Sequence, residues 1–405
     1  MIGVSKLYCG TVEPSDPLRY KRKSKELPSR LLQFSEDKKP VIVWNMTRAC
    51  NLSCVHCYAC ATSGPASDEL TKPQSLRLID SLTDYGAPVI LFSGGEPLLH
   101  PHLFEYVAHT VKRGARAVLS TNGVLLTSDK AALLRDIGLS YVGISLDGLE
   151  SRHDRIRRRK GAFRLALNAV RAARSVGLKV GLRLTMTKTN FSDLSGLFDL
   201  MVQEGIPRVC FYHLVDDGRK ASLSSESLSH ASSRLAVDLI AARTRALHKS
   251  ATPTEVLTVD NQSDGPYLYL KLLEEGLEEQ AKKCYELLLL NGGASSGHGI
   301  GAVSWNGDVH PDQFWRSVVL GSVKQKDFPL IWHDPNNELL CALKDKTKHI
   351  TGRCRSCRFL SVCGGGLRAR AFFKTGDPWA PDPGCYLTDE EIGLGQDDDR
   401  LAGQC

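Results

Sequence analysis

Cys50-Asn51-Leu52-Ser53-Cys54-Val55-His56-Cys57-Tyr58 separates three cysteines by three and then two residues, directly after the apolar run 41–46. Thiolates so spaced can converge from one loop on three irons of an iron-sulfur cube and leave the fourth iron open. A zinc knuckle is the competing reading. Structural zinc takes four protein ligands, and Cys60 follows Cys57 too closely to complete that geometry comfortably.

Working outward, short apolar runs at 41–46, 88–92, 117–120, 141–146, 180–185 and 209–213 alternate with amphipathic stretches at 72–85, 102–113, 129–137, 163–176 and 193–204. Runs of this length without polar alternation read as buried parallel strands, and the stretches between them as crossover helices. Six β/α units predict an α/β fold of the open, partial-barrel kind, a (β/α)6 arrangement. In such folds reactive groups gather where the βα loops converge, at the carboxyl ends of the strands. The cysteine loop follows the first strand, Ser93-Gly94-Gly95-Glu96-Pro97 the second, Ser120-Thr121-Asn122-Gly123 the third and Ser145-Leu146-Asp147-Gly148 the fourth. Arg183 and His213 stand on the fifth and sixth.

The expected organisation is an N-terminal extension over 1–38, the barrel over 39–216, a helical connecting segment over 217–290, a cysteine-rich domain over 291–390 and an acidic tail over 391–405. At 405 residues, with 42% hydrophobic and 24% charged, the chain is long enough for a large catalytic domain with an appendage and too mixed to be disordered. No apolar run is long enough to span a bilayer, and Met1 to Gly10 lacks an export signal, so the expected location is the cytoplasm without a membrane partner. The net charge of +7 comes without a polybasic arm or basic-aromatic alternation, which argues against nucleic acid and for an anionic small molecule. The densest basic stretch, 152–160, reads as a solvated helix start. Thirteen cysteines in a reducing compartment point to metal centres. Cys354, Cys357, Cys363 and Cys385 form a second set, for which a zinc ribbon and an iron-sulfur cluster both remain open.

The first cysteine loop resembles the signature of the radical S-adenosylmethionine (SAM) superfamily. That resemblance implies a 4Fe-4S cluster on Cys50, Cys54 and Cys57, with SAM bound at the open iron. It also implies that Gly94, Gly95 and Glu96 hold the SAM amino group and that His56 stands where a ring lies near adenine. Ser145 and Asp147 match ribose-contacting positions, Arg183 is expected to pair with the SAM carboxylate, and Asn122 to line the same cleft. An electron donor such as flavodoxin or ferredoxin is implied as well.

The second set resembles the auxiliary-cluster extension called SPASM. Leu367 and Asp312 stand where further cysteines belong, which implies one auxiliary 4Fe-4S cluster and two clusters in all. The segments Gly376 to Leu387 and Val309 to Trp315 resemble tetrapyrrole-modifying radical SAM enzymes, and Met1 to Val12 resembles those of siroheme-dependent heme synthesis. The implied reaction removes acetate side chains from 12,18-didecarboxysiroheme to give iron-coproporphyrin III. Propionate removal for heme d1 is the alternative, and peptide maturation a lesser one. His213 and His310 are candidates for proton delivery or contact with the iron tetrapyrrole. Arg219, Arg316, Arg368 and Arg370 are candidate carboxylate clamps. Oligomeric state is left open.

Overall fold

The computed structural model describes residues 1–11, 39–216, 221–250 and 254–394, the side chains of Ala221 and Ser222 excepted. Most of the expected N-terminal extension, Arg219 and nearly all of the acidic tail therefore lie outside the described residues.

The six expected strands are present as β2 (Val41–Asn45), β3 (Val89–Ser93), β4 (Arg116–Thr121), β5 (Tyr141–Ser145), β6 (Val180–Met186) and β7 (Arg208–His213), all parallel and paired in chain order. Helices Lys72–Asp84, Leu103–Lys112, Ser128–Asp136, Ala162–Ser175 and Leu194–Gln203 fall within a residue of the predicted stretches or just inside them. The first opens on a capping box, with the Thr71 and Gln74 side chains satisfying each other's backbone N–H groups. Trp44 on β2 packs against Phe92 on β3 and stacks on Tyr106 of the helix Leu103–Lys112, ring centroids 5.7 and 5.5 Å apart. Aromatic packing of this kind fixes helix to sheet.

The sheet runs further than six strands. β8 (Glu255–Val259) continues it in parallel beyond β7, and β1 (Ile2–Gly3) closes that edge antiparallel to β8. At the other edge β9 (Ile300–Val303) lies parallel to β2, followed by antiparallel β10 (Asp308–His310) and β11 (Gly321–Ser322). The order β1-β8-β7-β6-β5-β4-β3-β2-β9-β10-β11 is a single open sheet. One expectation is corrected by it: the stretch 217–290 is not wholly helical, because Val256, Leu257 and Val259 are buried in β8. The C-terminal cysteine-rich domain joins the barrel through β9, which pairs with the barrel's first strand. Among the described residues no helix is long and apolar enough to cross a membrane.

Candidate active site

The cysteine loop is staked down by backbone and by Glu69. Cys50 N donates to Thr62 O at 2.8 Å and Thr62 N to Arg48 O at 2.8 Å, while Glu69 Oε1 accepts from Thr47 Oγ1, Arg48 N and Ala66 N at 2.9–3.0 Å. Tyr58 ties the far end to the sheet, its hydroxyl 3.0 Å from Asn45 Oδ1 and 2.9 Å from Ser93 Oγ. Val55 N donates to Ile156 O at 3.1 Å, so helix Glu150–Arg157 buttresses the loop.

The two glycines after β3 are there because nothing larger fits. A Cβ on Gly94 would lie 2.6 Å from Thr47 O and one on Gly95 2.2 Å from Ala49 O. This close approach lets Gly95 N donate to Thr47 O and Glu96 N to Ala49 O, at 2.8 and 2.7 Å. The second and first βα loops are thus sewn together along their backbones.

The strand ends enclose a cleft of about 1130 Å³ bordered by Cys50, Cys54, Cys57, His56, Gly94, Gly95, Asn122, Ser145, Arg183 and His213. Ten of the residues singled out from sequence meet there. Asn122 Nδ2 donates to Asn51 Oδ1 at 2.8 Å and stands 3.8 Å from Cys50 Sγ. Arg183 lies with its guanidinium 4.9 Å over the Tyr212 ring, its stem passing Gly143, where a Cβ would come within 2.6 Å. The ionisable groups acting on it most strongly are Tyr212, Cys210, Tyr58 and Tyr141, none of them a carboxylate.

Glu96 and Asp147 take different posts from those expected. Both are buried and neither borders the cleft. Glu96 accepts from Thr121 Oγ1 (2.7 Å), Leu98 N (3.0 Å) and Asn122 N (2.8 Å), so its carboxylate locks the third loop to the second. Asp147 accepts from Thr185 N at 2.9 Å, pairs with Arg157 and lies 3.3 Å from His56 Nε2. Burial raises its pKa, but Arg157 and His56 outweigh that and hold it far below the usual carboxylate range. Its carboxylate is thus occupied by the Thr185 amide, Arg157 and His56. The histidine at the end of β7 is tethered too: His213 Nε2 lies 2.9 Å from Asp264 Oδ2, whose other oxygen accepts from Tyr386 at 2.7 Å. His310 lies outside the cleft, with Nδ1 2.7 Å from Val318 O and Nε2 2.8 Å from Ser304 Oγ. Both ring nitrogens are spent inside the protein, a structural arrangement.

The arginines are corrected as well. Arg368 is fully buried and donates to Pro378 O and Ala380 O at 2.8 Å, and Arg370 forks onto Asp382 at 2.7 and 2.8 Å. Arg316 Nη1 donates to Ala59 O at 2.9 Å. Each is consumed in joining segments of this chain. The basic stretch 152–160 is only partly solvated: Arg157 turns inward and puts Nη1 3.5 Å from Cys54 Sγ. Sequence reasoning missed it, although His153, Ile156 and Arg157 share one buried helix face at the spacing that marks such a face.

The second cysteine set borders one cavity of about 440 Å³, where Cys354 and Cys357 of one turn meet Cys363 and Cys385. Gly364, Gly365 and Gly366 all adopt positive φ, and a Cβ on Gly366 would lie 2.2 Å from Asp382 Oδ2. That contact lets Asp382 accept from Leu367 N at 2.7 Å and hold the Cys385 turn against the Cys363 turn. Phe359 N and Gly365 N donate to Cys357 Sγ and Cys363 Sγ at 3.3 Å, the kind of N–H···S contact that tunes iron-sulfur centres. Asp312 and Leu367 are buried, Asp312 accepting from Phe314 N and Trp315 N at 2.8 and 3.0 Å, so both serve packing.

Both sets fit iron-sulfur clusters. The first three thiols border one space from a single loop beside the Arg157 cation, and the second four border one cavity with N–H groups on Cys357 and Cys363. Burial pushes Cys50 and Cys363 up to about 12 and Cys385 to about 11, so these three thiols are protonated at neutral pH without metal, and metal must displace those protons. Around the first set, Asn51 Nδ2, His56 Nδ1 and Gln313 Oε1 are buried without partners, polar atoms of the sort that SAM would satisfy.

Residues 44–201 match the family model of the radical SAM superfamily, and 297–358 that of the SPASM iron-sulfur cluster-binding domain. The second match stops short of Cys363 and Cys385, which the fold brings to the same cavity. The chain is 54% identical to Fe-coproporphyrin III synthase of Methanosarcina barkeri, over 97% of this chain and 99% of that one. It is 38% identical to pre-heme d1 synthase of Dinoroseobacter shibae, over 90% of each. Streptococcus suis SuiB bound to precursor peptide SuiA shares the fold at a TM-score of 0.66 and 16% identity, over 86% of this chain and 76% of that one. Sequence and fold agree that the chain belongs to the radical SAM superfamily, among the members that carry a SPASM domain, and that it uses SAM and 4Fe-4S chemistry.

Proposed function

We propose that the protein removes the acetate side chains from rings A and B of 12,18-didecarboxysiroheme and yields iron-coproporphyrin III. The observation that carries this reading is the 54% identity to Fe-coproporphyrin III synthase along nearly the whole of both chains, against 38% to the pre-heme d1 enzyme. The shape of the site supports it. The cleft shares His213 and Leu214 with an adjoining cavity of about 1100 Å³ bordered by Met186, Ser229, Ser233, Asn261 and Lys374. The two spaces adjoin through these residues, an arrangement that suits SAM beside a macrocycle.

Each reacting ring carbon bears a methyl and an acetate and has no hydrogen to lose, so regaining aromaticity requires breaking an unactivated carbon-carbon bond. When bound, the cluster and SAM supply a carbon-centred oxidant able to take a hydrogen atom from such a substrate. The chain's residues do the rest. Cys50, Cys54 and Cys57 hold the cluster, and Cys354, Cys357, Cys363 and Cys385 the auxiliary one. Arg183 receives a carboxylate through its fork. Asn122 and His56 orient the cofactor, His56 through its tie to Asp147. The buried walls exclude water, which would quench the reactive fragment.

The electron donor is an acidic protein of the flavodoxin or ferredoxin class. Arg155, Arg158, Arg159 and Lys160 are exposed at the end of helix Glu150–Arg157, beside the Ile156 carbonyl that holds the cluster loop. An exposed positive field next to the cluster would steer such a partner. The test of the main reading is the mass of the product made anaerobically with SAM and reductant: loss of two acetates supports it, and loss of propionates replaces it with the heme d1 reaction.

A further inference from the structure

Asp260 stands directly after β8 with φ 68°, left-handed backbone that few residues with a side chain adopt. It borders the cleft beside Tyr212, His213 and Gln313, yet its Oδ2 is sealed from solvent and has no hydrogen-bond partner. The other carboxylates around the site are engaged. Glu96 takes three hydrogen bonds, Asp147 pairs with Arg157, Asp264 serves His213 and Tyr386, and Asp382 holds Arg370. Arg370 lies close enough to neutralise Asp260, but its Nη1 donates to the Asp260 carbonyl at 3.0 Å while its fork is occupied by Asp382. The fold therefore holds Asp260 in left-handed backbone at the border of the cleft with its Oδ2 unpaired, the Met1 amino group and Arg370 being the opposite charges that act on it most.

We infer that Asp260 is a catalytic acid, giving the proton that turns the departing side chain into free acetate. The inference rests on the deacetylation reading above. Once a hydrogen atom is taken from the neighbouring ring carbon, homolysis of the bond to the acetate arm forms the ring double bond and leaves the fragment •CH2–COO⁻. One electron, from a reductant of the iron-sulfur or flavin class, and one proton convert it to CH3–COO⁻. The proton leaves the Asp260 carboxyl, which is then reprotonated from water. Burial raises this carboxyl to about 6; the Met1 amino group, Arg370 and His213 oppose the rise and Asp312 adds to it. The acid form is thus kept available well above the usual carboxylate range.

The experiment is turnover of the reconstituted holoenzyme in D2O, with acetate and 5'-deoxyadenosine quantified by mass, for the unaltered protein and for Asp260→Asn. Asparagine tolerates the left-handed backbone but cannot give an acid proton. Acetate from the unaltered protein should carry one solvent deuterium. The variant should keep its iron and its 5'-deoxyadenosine formation while acetate falls on the order of 100-fold. Its Tm at pH 7.5 should be equal or higher, because a carboxyl whose folded pKa is raised destabilises the fold increasingly as pH climbs through that range. Unlabelled acetate, or acetate from the variant at the unaltered rate, overturns the inference. If the Asn variant loses iron, Asp260→Gly, which also fits the backbone, takes its place, and the label in the unaltered protein stands by itself. Failure of the unaltered protein to release any acetate would instead overturn the deacetylation reading.

Discussion

Gly95 shows how much of this site is decided by single atoms. Its missing Cβ lets the second βα loop lie on the cysteine loop, so Gly95→Ala must push Ala49 O away and disturb the cluster ligands. Overpacking of that kind costs about 1–3 kcal/mol, and the expected outcome is a lowered Tm together with loss of SAM cleavage, read by calorimetry and 5'-deoxyadenosine release. Arg157→Met strands Asp147 in the interior and removes the cation beside Cys54. Breaking a buried pair in this way costs about 3–5 kcal/mol; a variant as stable as the parent would contradict the assigned role. The elevated thiols make a further prediction about pH. Because Cys50, Cys363 and Cys385 are protonated before metal arrives, reconstitution at pH 7.5 should release protons into a weakly buffered solution and proceed more completely as pH rises toward 9. Proton release that does not accompany iron uptake would count against these ligands. At this scale the sequence was legible where chemistry demands a residue type at a spacing, as for the cysteines and the glycine pair. Glu96 and Asp147 were misplaced because a strand-end position does not say whether a carboxylate turns toward the cleft or back into the wall.

Between elements, the exposed cations at the end of helix Glu150–Arg157 carry a separable prediction. Arg155→Glu together with Arg159→Glu should slow SAM cleavage driven by reduced flavodoxin several-fold and flatten its salt dependence, while dithionite-driven cleavage stays unchanged. Equal loss with both reductants would mean that the pair supports the loop and does not dock a partner. The six central strands and their helices could be read from sequence because buried parallel strands leave uninterrupted apolar runs. β8 escaped because its five residues mix Glu255 and Thr258 into the run and sit amid long polar helices. That omission hid Asp260, whose place in the cleft follows only once the strand before it is known.

For the whole molecule, the continuous sheet joins the regions of two cysteine sets that lie far apart in sequence. Residues 260–264 pass from the cleft to the auxiliary cavity: Asp260 borders the first, Asn261 and Ser263 border the second, and Asn261 Nδ2 donates to Gly384 O at 2.8 Å, next to Cys385. Changing Cys50, Cys54 and Cys57 together to Ala should halve an iron content of about eight per chain and abolish SAM cleavage. Changing Cys354, Cys357 and Cys363 should leave part of that cleavage but damage turnover, and loss of zinc instead of iron would refute the auxiliary cluster. The most direct test of the account is the mass and absorption spectrum of the product from 12,18-didecarboxysiroheme, supplied anaerobically with SAM and dithionite. Loss of two acetates with a change from an isobacteriochlorin to a porphyrin spectrum is the predicted result, and products lacking propionates with both acetates retained would contradict it.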